Sequence, residues 1–450
     1  MRSSASPAAA LILASLMAAC SPAHSHSTTA ASASAATPRV ATTPEATAAA
    51  IAPRGTSDAS IGRLDPRSGT SLWHTTVGMA AVRSAVFGPS GDASTLVVEG
   101  TYDCDRPDTT IVALDVNRGR LRWQTELPGR VCDEAPNFVV SGGAVVVATF
   151  NQDGTATAPV TSPAASGRGP ASPLPTPGRQ VLVGLDLMTG RTRWTVPLGD
   201  ESVYAAGDVV LLLAQKSDSG SRVRAVEVAS GRVRWVATID NQAVVGSAAD
   251  GVAVIVGPAP GPPPRPTPGT GPVGVPLVAT GLDLATGARR WRTALGVDPD
   301  GLWPLTSSGV VAVPYGATVD ALDPATGTKL WSRAASGPPD AVLEVAAGPG
   351  TVYVAGDGGP QVVVEAVASN SGARLWRQTL PIPGAEARGA EVIAGPGVLT
   401  VSDAGETIGL DPTTGNTMWR RPIQGGVTAT TNAVFSIEAT KPPLNEPAGD

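Results

Sequence analysis

The stretch LDLATGARRW (282–291) reads as the end of one β-strand, a tight turn and the start of the next. Asp283 is placed to accept backbone N–H bonds inside the turn, and Gly287 supplies the positive φ of a type I turn followed by a bulge. Trp291 gives the next strand its packing residue. The pattern recurs as LDPRSGTSLW (64–73), LDVNRGRLRW (114–123), LDLMTGRTRW (185–194) and VEVASGRVRW (226–235). It continues as LDPATGTKLW (322–331), VASNSGARLW (367–376) and LDPTTGNTMW (410–419). In all eight copies the Trp follows the Gly by four residues, and eight of the nine Trp are used this way. Trp73, Trp123, Trp194, Trp235, Trp291, Trp331, Trp376 and Trp419 are therefore read as a ring of structural packing residues and not as a cofactor box. Glu227 and Ala368 replace the Asp in two copies, and those two turns are expected to be the less regular ones.

Between motifs the pattern is equally regular. Each Trp strand is followed by two apolar runs split by a Gly-rich turn, as in SVYAAG–DVVLLLAQ (202–215) before RVRAVEV (222–228). Each repeat thus holds four short strands, A, B, C and the Trp-bearing D. Four antiparallel strands per 40–50 residues is the signature of a propeller blade. The first motif has C and D strands but no A and B. After Trp419 two strands, VTATT (427–431) and AVFSIEA (433–439), have no motif behind them. Together they complete one blade, so the expected fold is all-β, an eight-bladed β-propeller closed by N-terminal C/D strands pairing with C-terminal A/B strands. Closure removes the exposed edges of an open array. The Trp-to-Trp spacings are 50, 71, 41, 56, 40, 45 and 43. The two long intervals hold Pro-rich inserts at 153–178 and 258–272, both placed between strands B and C.

The ends and the composition bound the setting. Residues 1–19 read as a lipoprotein signal peptide, with Arg2 ahead of an apolar stretch of about ten residues, too short to span a bilayer. Met17-Ala18-Ala19-Cys20 resembles a lipobox, which makes Cys20 the lipidated first residue of the mature chain. Residues 20–56 are an Ala/Ser/Thr/Pro-rich tether, 57–440 the propeller and 441–450 a C-terminal tail. The protein is expected outside the cytoplasm, anchored to the outer face of the cytoplasmic membrane or to the periplasmic side of an envelope membrane. A net charge of -6 argues against a nucleic-acid partner. Three His and three Cys in 450 residues starve any mechanism built on a His/Cys metal cluster or a His-based triad. Only three of 32 basic residues are Lys, a bias read as a G+C-rich genome.

Cys104 falls in a B–C loop and Cys132 in the next D–A connection, which puts them on one face in neighbouring blades. In an oxidising compartment they are expected to pair as a disulfide. Asp103, Asp105, Asp108, Asp133 and Glu134 cluster around them. They are weak calcium candidates whose spacing fits no familiar loop, and they read as solvated acids. No metal and no cofactor are expected.

The eightfold LDxxTGxxxW motif resembles the PQQ-type propeller repeat over residues 57–440. That family includes quinoprotein dehydrogenases, which use pyrroloquinoline quinone and Ca²⁺, and non-catalytic lipoproteins of the BamB type. The enzyme branch implies adjacent cysteines at the cofactor and acid-bearing inserts. This chain has no Cys-Cys pair, and its inserts are Pro/Ala/Ser runs. His74, the one histidine outside the tether, directly follows a motif Trp and reads as a strand or turn residue. The resemblance therefore implies a non-catalytic, lipid-anchored scaffold for an envelope protein or glycan partner, read as a monomer. The alternative is an extracellular sensor working with a separate signalling protein. A PQQ/Ca-dependent dehydrogenase fits less well. Candidate binding residues are Trp303, the one Trp outside the motif, and Tyr102 and Tyr315, near loop ends on the insert-bearing face. The Pro-rich inserts add no core. Replacing both with short Gly-Ser turns is expected to leave the melting temperature within about 2 °C of the parent, as read by scanning calorimetry.

Overall fold

In the computed structural model, the described residues lie between 59 and 439. Residues 78–80, 88–93, 102–107, 129–137, 151–179, 200, 217–219, 242, 244, 262–273, 299–304, 308, 335–342, 358–360, 383–389, 404, 424–425 and 430–432 fall outside the description. The signal segment, Cys20, the tether, the tail and nearly all of both Pro-rich inserts also lie outside the described residues.

Thirty-two strands form eight antiparallel sheets of four. The chain opens with β1 (Ala59–Leu64) and β2 (Ser71–Val77). The first complete blade follows: β3 (Ala81–Phe87), β4 (Thr95–Thr101), β5 (Asp108–Asp115) and β6 (Leu121–Pro128). Next come β7 (Phe138–Ser141), β8 (Ala144–Phe150), β9 (Gln180–Asp186) and β10 (Thr192–Pro197). The third blade is β11 (Glu201–Ala206), β12 (Val209–Lys216), β13 (Gly220–Glu227) and β14 (Val233–Ile239). The fourth is β15 (Val245–Ala249), β16 (Val252–Pro258), β17 (Val275–Asp283) and β18 (Arg289–Asp298). The fifth is β19 (Leu305–Ser307), β20 (Val310–Tyr315), β21 (Thr318–Leu322) and β22 (Lys329–Ala334). The sixth is β23 (Leu343–Gly348), β24 (Thr351–Asp357), β25 (Gln361–Ala368) and β26 (Arg374–Pro381). The seventh is β27 (Glu391–Gly395), β28 (Val398–Asp403), β29 (Glu406–Leu410) and β30 (Thr417–Pro422). The chain ends with β31 (Val427–Ala429) and β32 (Val434–Ala439). The closing sheet has the order β2-β1-β32-β31, with Ile61 opposite Ile437 and Leu64 opposite Val434. The expected closure by the two ends is what the sheet order shows. The inner strands contact one another in succession from β3 round to β31, and β31 contacts β3, so the eight blades form a closed ring. Both inserts join second to third strands, as β8 to β9 and β16 to β17.

The burial pattern explains the sequence pattern. Second strands such as β16 and β20 are buried along all or nearly all of their length, because both faces meet a neighbouring blade. Their sequences are accordingly continuous apolar runs without alternation. The outermost strands are half-exposed and carry arginines, which blunt an edge against pairing with another chain.

The motif acts between blades as much as within one. In every copy the glycine has a positive φ, from 64° to 75°. Each turn is followed by a shift of register between the third and fourth strands, the bulge expected of this turn. The Trp indole N–H then donates to the next blade, to the carbonyl of the residue just after that blade's motif acid position. Trp73 Nε1 reaches Val116 O at 2.9 Å, Trp123 reaches Leu187 O at 2.8 Å, and Trp194 reaches Val228 O at 2.8 Å. Trp235 reaches Leu284 O, Trp291 reaches Pro324 O, Trp331 reaches Ser369 O and Trp376 reaches Pro412 O. Trp419 reaches Pro66 O at 2.9 Å and completes the circuit. The indole also lies against the next blade's motif glycine. A Cβ on Gly119 would fall 2.4 Å from the Trp73 ring, and one on Gly231 would fall 2.6 Å from Trp194.

The expectation that the Glu227 and Ala368 turns are less regular is corrected. Gly231 N–H donates to Glu227 O, and Gly372 N–H to Ala368 O, both at 2.8 Å, as in the Asp copies. What changes is the side-chain contribution. In the other six turns the Asp carboxylate accepts N–H bonds, as Asp186 does from Met188 and Thr189. In these two, the N–H of Ser230 or Ser371 turns to the backbone carbonyl instead, at 3.3 Å. The backbone and the glycine hold the turn, and the carboxylate is an addition to it.

Replacing Trp194 by Phe should keep most of the packing but orphan the Val228 carbonyl, at a cost of about 1–3 kcal/mol. Trp194→Ala should cost about 3–5 kcal/mol. Gly231→Ala should resemble the Ala variant more than the Phe variant, because it meets both a positive φ and the indole. Urea unfolding midpoints of the three proteins check the order.

Candidate functional site

The motif turns carry a recurring ion pair. Arg122, Arg193 and Arg290, each one residue before its Trp, reach back to Asp115, Asp186 and Asp283 at 3.0, 2.5 and 2.5 Å. The Arg290 guanidinium, followed by the Thr286 hydroxyl and N–H, holds the Asp283 carboxyl down to about 2. Asp186 is lowered in the same way, led by the hydrogen bond from Arg193. These are exposed pairs that brace turns. Their signal, the recurring Arg-Trp dipeptide, was present in four motif copies.

Several residues singled out from the sequence lie outside the described residues: Cys104, Cys132, Tyr102, Trp303, Asp103, Asp105, Asp133 and Glu134. Asp108 opens β5, and nothing is described of its side chain. Tyr315 is corrected. It is 9% exposed and packs in the core of its blade, with its ring where a Cβ on Gly296 would be 2.2 Å away. Burial, and then Asp320, push its phenol far above the usual range. Its ring therefore packs the interior and offers no exposed contact surface. The loop-end position of Tyr315 hid this, because the core here extends to the last residue of the strand. Among the described residues no three His, Cys, Asp or Glu come together as a metal site, and no helix is long and apolar enough to cross a membrane.

Buried carboxylates are the feature that sequence reasoning missed. Asp320 is fully buried and meets Lys329 Nζ at 2.6 Å. Glu201 is held by Arg222 and Arg224. Glu365 is 2% exposed and receives Arg333 of the preceding blade at 2.9 Å, with Arg374 and Arg377 at 3.6 Å. Asp320 and Glu365 sit three residues before the motif acid position, on the face turned to the preceding blade. Two further acids, Glu344 and Glu391, start the inner strands of adjacent blades. Burial raises both carboxyls, and Glu391 raises Glu344 further.

One cleft stands out, at the seam where the two ends of the chain meet. It has a volume of about 600 Å³ and opens between the closing sheet and the outermost strand of the seventh blade. The closing sheet contributes Ser60, Gly62, Ser71, His74, Thr76, Ser436 and Glu438, and β30 contributes Arg421 and Pro422. His74 is exposed here. The wall is rich in hydroxyls and carries both signs of charge. A cleft of this size accommodates a small molecule or a few side chains.

The sequence matches the family described as outer membrane protein assembly factor BamB, over residues 57–259 and 277–442. No curated protein matches it. Among solved structures, the chain is similar to BamB from Moraxella catarrhalis at 16% identity and a TM-score of 0.47, covering 84% of this chain and 96% of that one. It is similar to the dihydro-heme d1 dehydrogenase NirN at 14% identity and a TM-score of 0.51, covering 84% and 76%. It is also similar to Sqt1 of Saccharomyces cerevisiae at 10% identity and a TM-score of 0.50, covering 78% and 87%. At these identities the last two likenesses show the propeller fold alone.

The raised carboxyls at the inner strands have a signed consequence. An acid whose folded value lies above its unfolded value costs stability as pH rises through the unfolded value to the folded one. Glu391→Gln removes that cost. It should raise the melting temperature by about 1–3 °C near pH 7 and leave it unchanged near pH 4, as read by scanning calorimetry at the two pH values.

Proposed function

The chain belongs to the family of the outer membrane protein assembly factor BamB, and from that premise we propose that it is an exported, lipid-anchored, non-catalytic propeller that binds protein partners at the cell envelope. The observation that carries this is the family match, which takes in nearly the whole ring. The architecture supports it. Eight mutually braced blades make a rigid frame, and rigid elements hold loops at fixed separations. The Pro-rich inserts both fall at second-to-third strand connections, β8 to β9 and β16 to β17. In this reading the lipobox-like Met17–Cys20 supplies the anchor, and Cys104 and Cys132 are the pair expected to form a disulfide. Membrane contact is then through the lipid and not through a spanning segment. Assembly of outer-membrane proteins itself is not carried over, because it depends on an envelope with an outer membrane.

In-cell crosslinking of the full-length protein, followed by affinity capture and mass spectrometry, tests the reading. The expected result is one or a few envelope proteins, recovered from wild type and lost when Cys20→Ala releases the chain from the membrane. In parallel, the purified protein is titrated with pyrroloquinoline quinone and Ca²⁺ while Trp fluorescence is followed. A flat titration is expected. A saturable, Ca²⁺-dependent change would overturn the non-catalytic reading.

A further inference from the structure

The seam cleft keeps the positions of an anion-binding arrangement found inside the protein, with one of its three arginines and without its carboxylate. At the junction of the fifth and sixth blades, Glu365 stands three residues before the motif acid position. Around it are Arg333, two residues after Trp331 of the preceding blade, Arg374, two before its own Trp376, and Arg377, one after. Counting from the same landmarks, the seam has Arg421 two residues after Trp419, Ser71 two before Trp73, and His74 one after. All three line the cleft. The strand registers agree, since Glu365 faces Arg377 across its pair and Gly62 faces His74 across its own. The station of the carboxylate is thus Gly62. Arg421 has no hydrogen-bond or ion-pair partner among the described residues, whereas Arg333 has both Glu365 and the Gly372 carbonyl. Gly62 leaves that station without a side chain, and Ser436 Oγ lies 2.8 Å from where its Cβ would be, so the serine hydroxyl stands at the edge of the vacant station.

We propose that the seam cleft is a binding site for the side-chain carboxylate of an acidic peptide residue, which takes the station that Glu365 occupies two blades earlier. Arg421 is the charged donor, and a planar guanidinium favours a carboxylate over other anions of similar size when two parallel bonds form. Ser60, Ser71, Thr76 and Ser436 supply hydroxyls around it. Glu438 lies on the same face of the closing sheet, opposite Ser60. It repels a second carboxylate, so the site selects a lone acid flanked by neutral or basic residues over an acidic run. The peptide as ligand rests on the protein-binding reading above. The vacant station does not, and its test is separate.

The probe is a fluorescein-labelled hexapeptide, Gly-Ser-Lys-Glu-Ser-Gly, titrated with the full-length protein by fluorescence anisotropy, with the Gln-for-Glu peptide as its control. Binding of the Glu peptide should be at least about tenfold tighter than that of the control, and Arg421→Gln should remove the difference without altering the melt. Arg421→Lys should retain part of it. In a second arm, Gly62→Glu combined with Ser436→Ala places an internal carboxylate at the station. It should melt above Ser436→Ala alone and bind the Glu peptide no better than the Gln peptide. Equal binding of the two peptides by wild type, or by wild type and Arg421→Gln, overturns the peptide site. Failure of Gly62→Glu to raise the melting temperature over Ser436→Ala overturns the vacant station itself.

Discussion

The indole N–H of each motif Trp, bonded to a carbonyl in the next blade, is the interaction on which the rest of the structure depends. It fixes three things at once. The donor reaches only one atom, so the rotation between neighbouring blades is set. The ring covers the next motif glycine, so a side chain is excluded there. The buried carbonyl is satisfied, which an apolar ring of the same size would not achieve. Eight such contacts in a closed cycle, from Trp73 to Val116 round to Trp419 and Pro66, make each blade's position depend on both neighbours.

This explains why the motif tolerates change at some positions and not at others. The acid is replaceable, as Glu227 and Ala368 show, because the backbone closes the turn without it. The residue after the acid varies freely, because only its carbonyl is used. Pro66, Pro324 and Pro412 accept the indole as well as Val116 does. Non-proline residues there add a bond of their own. Val228 N–H, for example, donates to Asp208 O in the turn between the first two strands of its blade. The glycine and the Trp are the two positions that cannot vary independently.

The architecture was legible in the sequence because its constraint is local and repeated. Blade count, strand order, turn chemistry and the closing pairing follow from a motif whose spacing does not change. The cleft was not legible, for a physical reason. It arises from Gly62, which looks like any strand glycine until its neighbour across the seam is known, and that neighbour, Arg421, is 359 residues away in the sequence. The buried acids were hidden similarly. Nothing in the strand around Glu365 marks it as buried, and its nearest cation, Arg333, comes from the preceding blade. Tyr315 failed in the opposite sense, since a position near a loop suggested exposure where the chain has a core.

The pairing of β1 with β32 bears on how the protein reaches its folded state. The strands made first are completed by strands made last, so the closing blade is unfinished until residues 434–439 have emerged. Contacts of such long range are slow to form. The late closing step also acts as proofreading. A product cut short before β32 lacks the partner of β1, keeps an unpaired strand edge, and so displays its incompleteness to proteases.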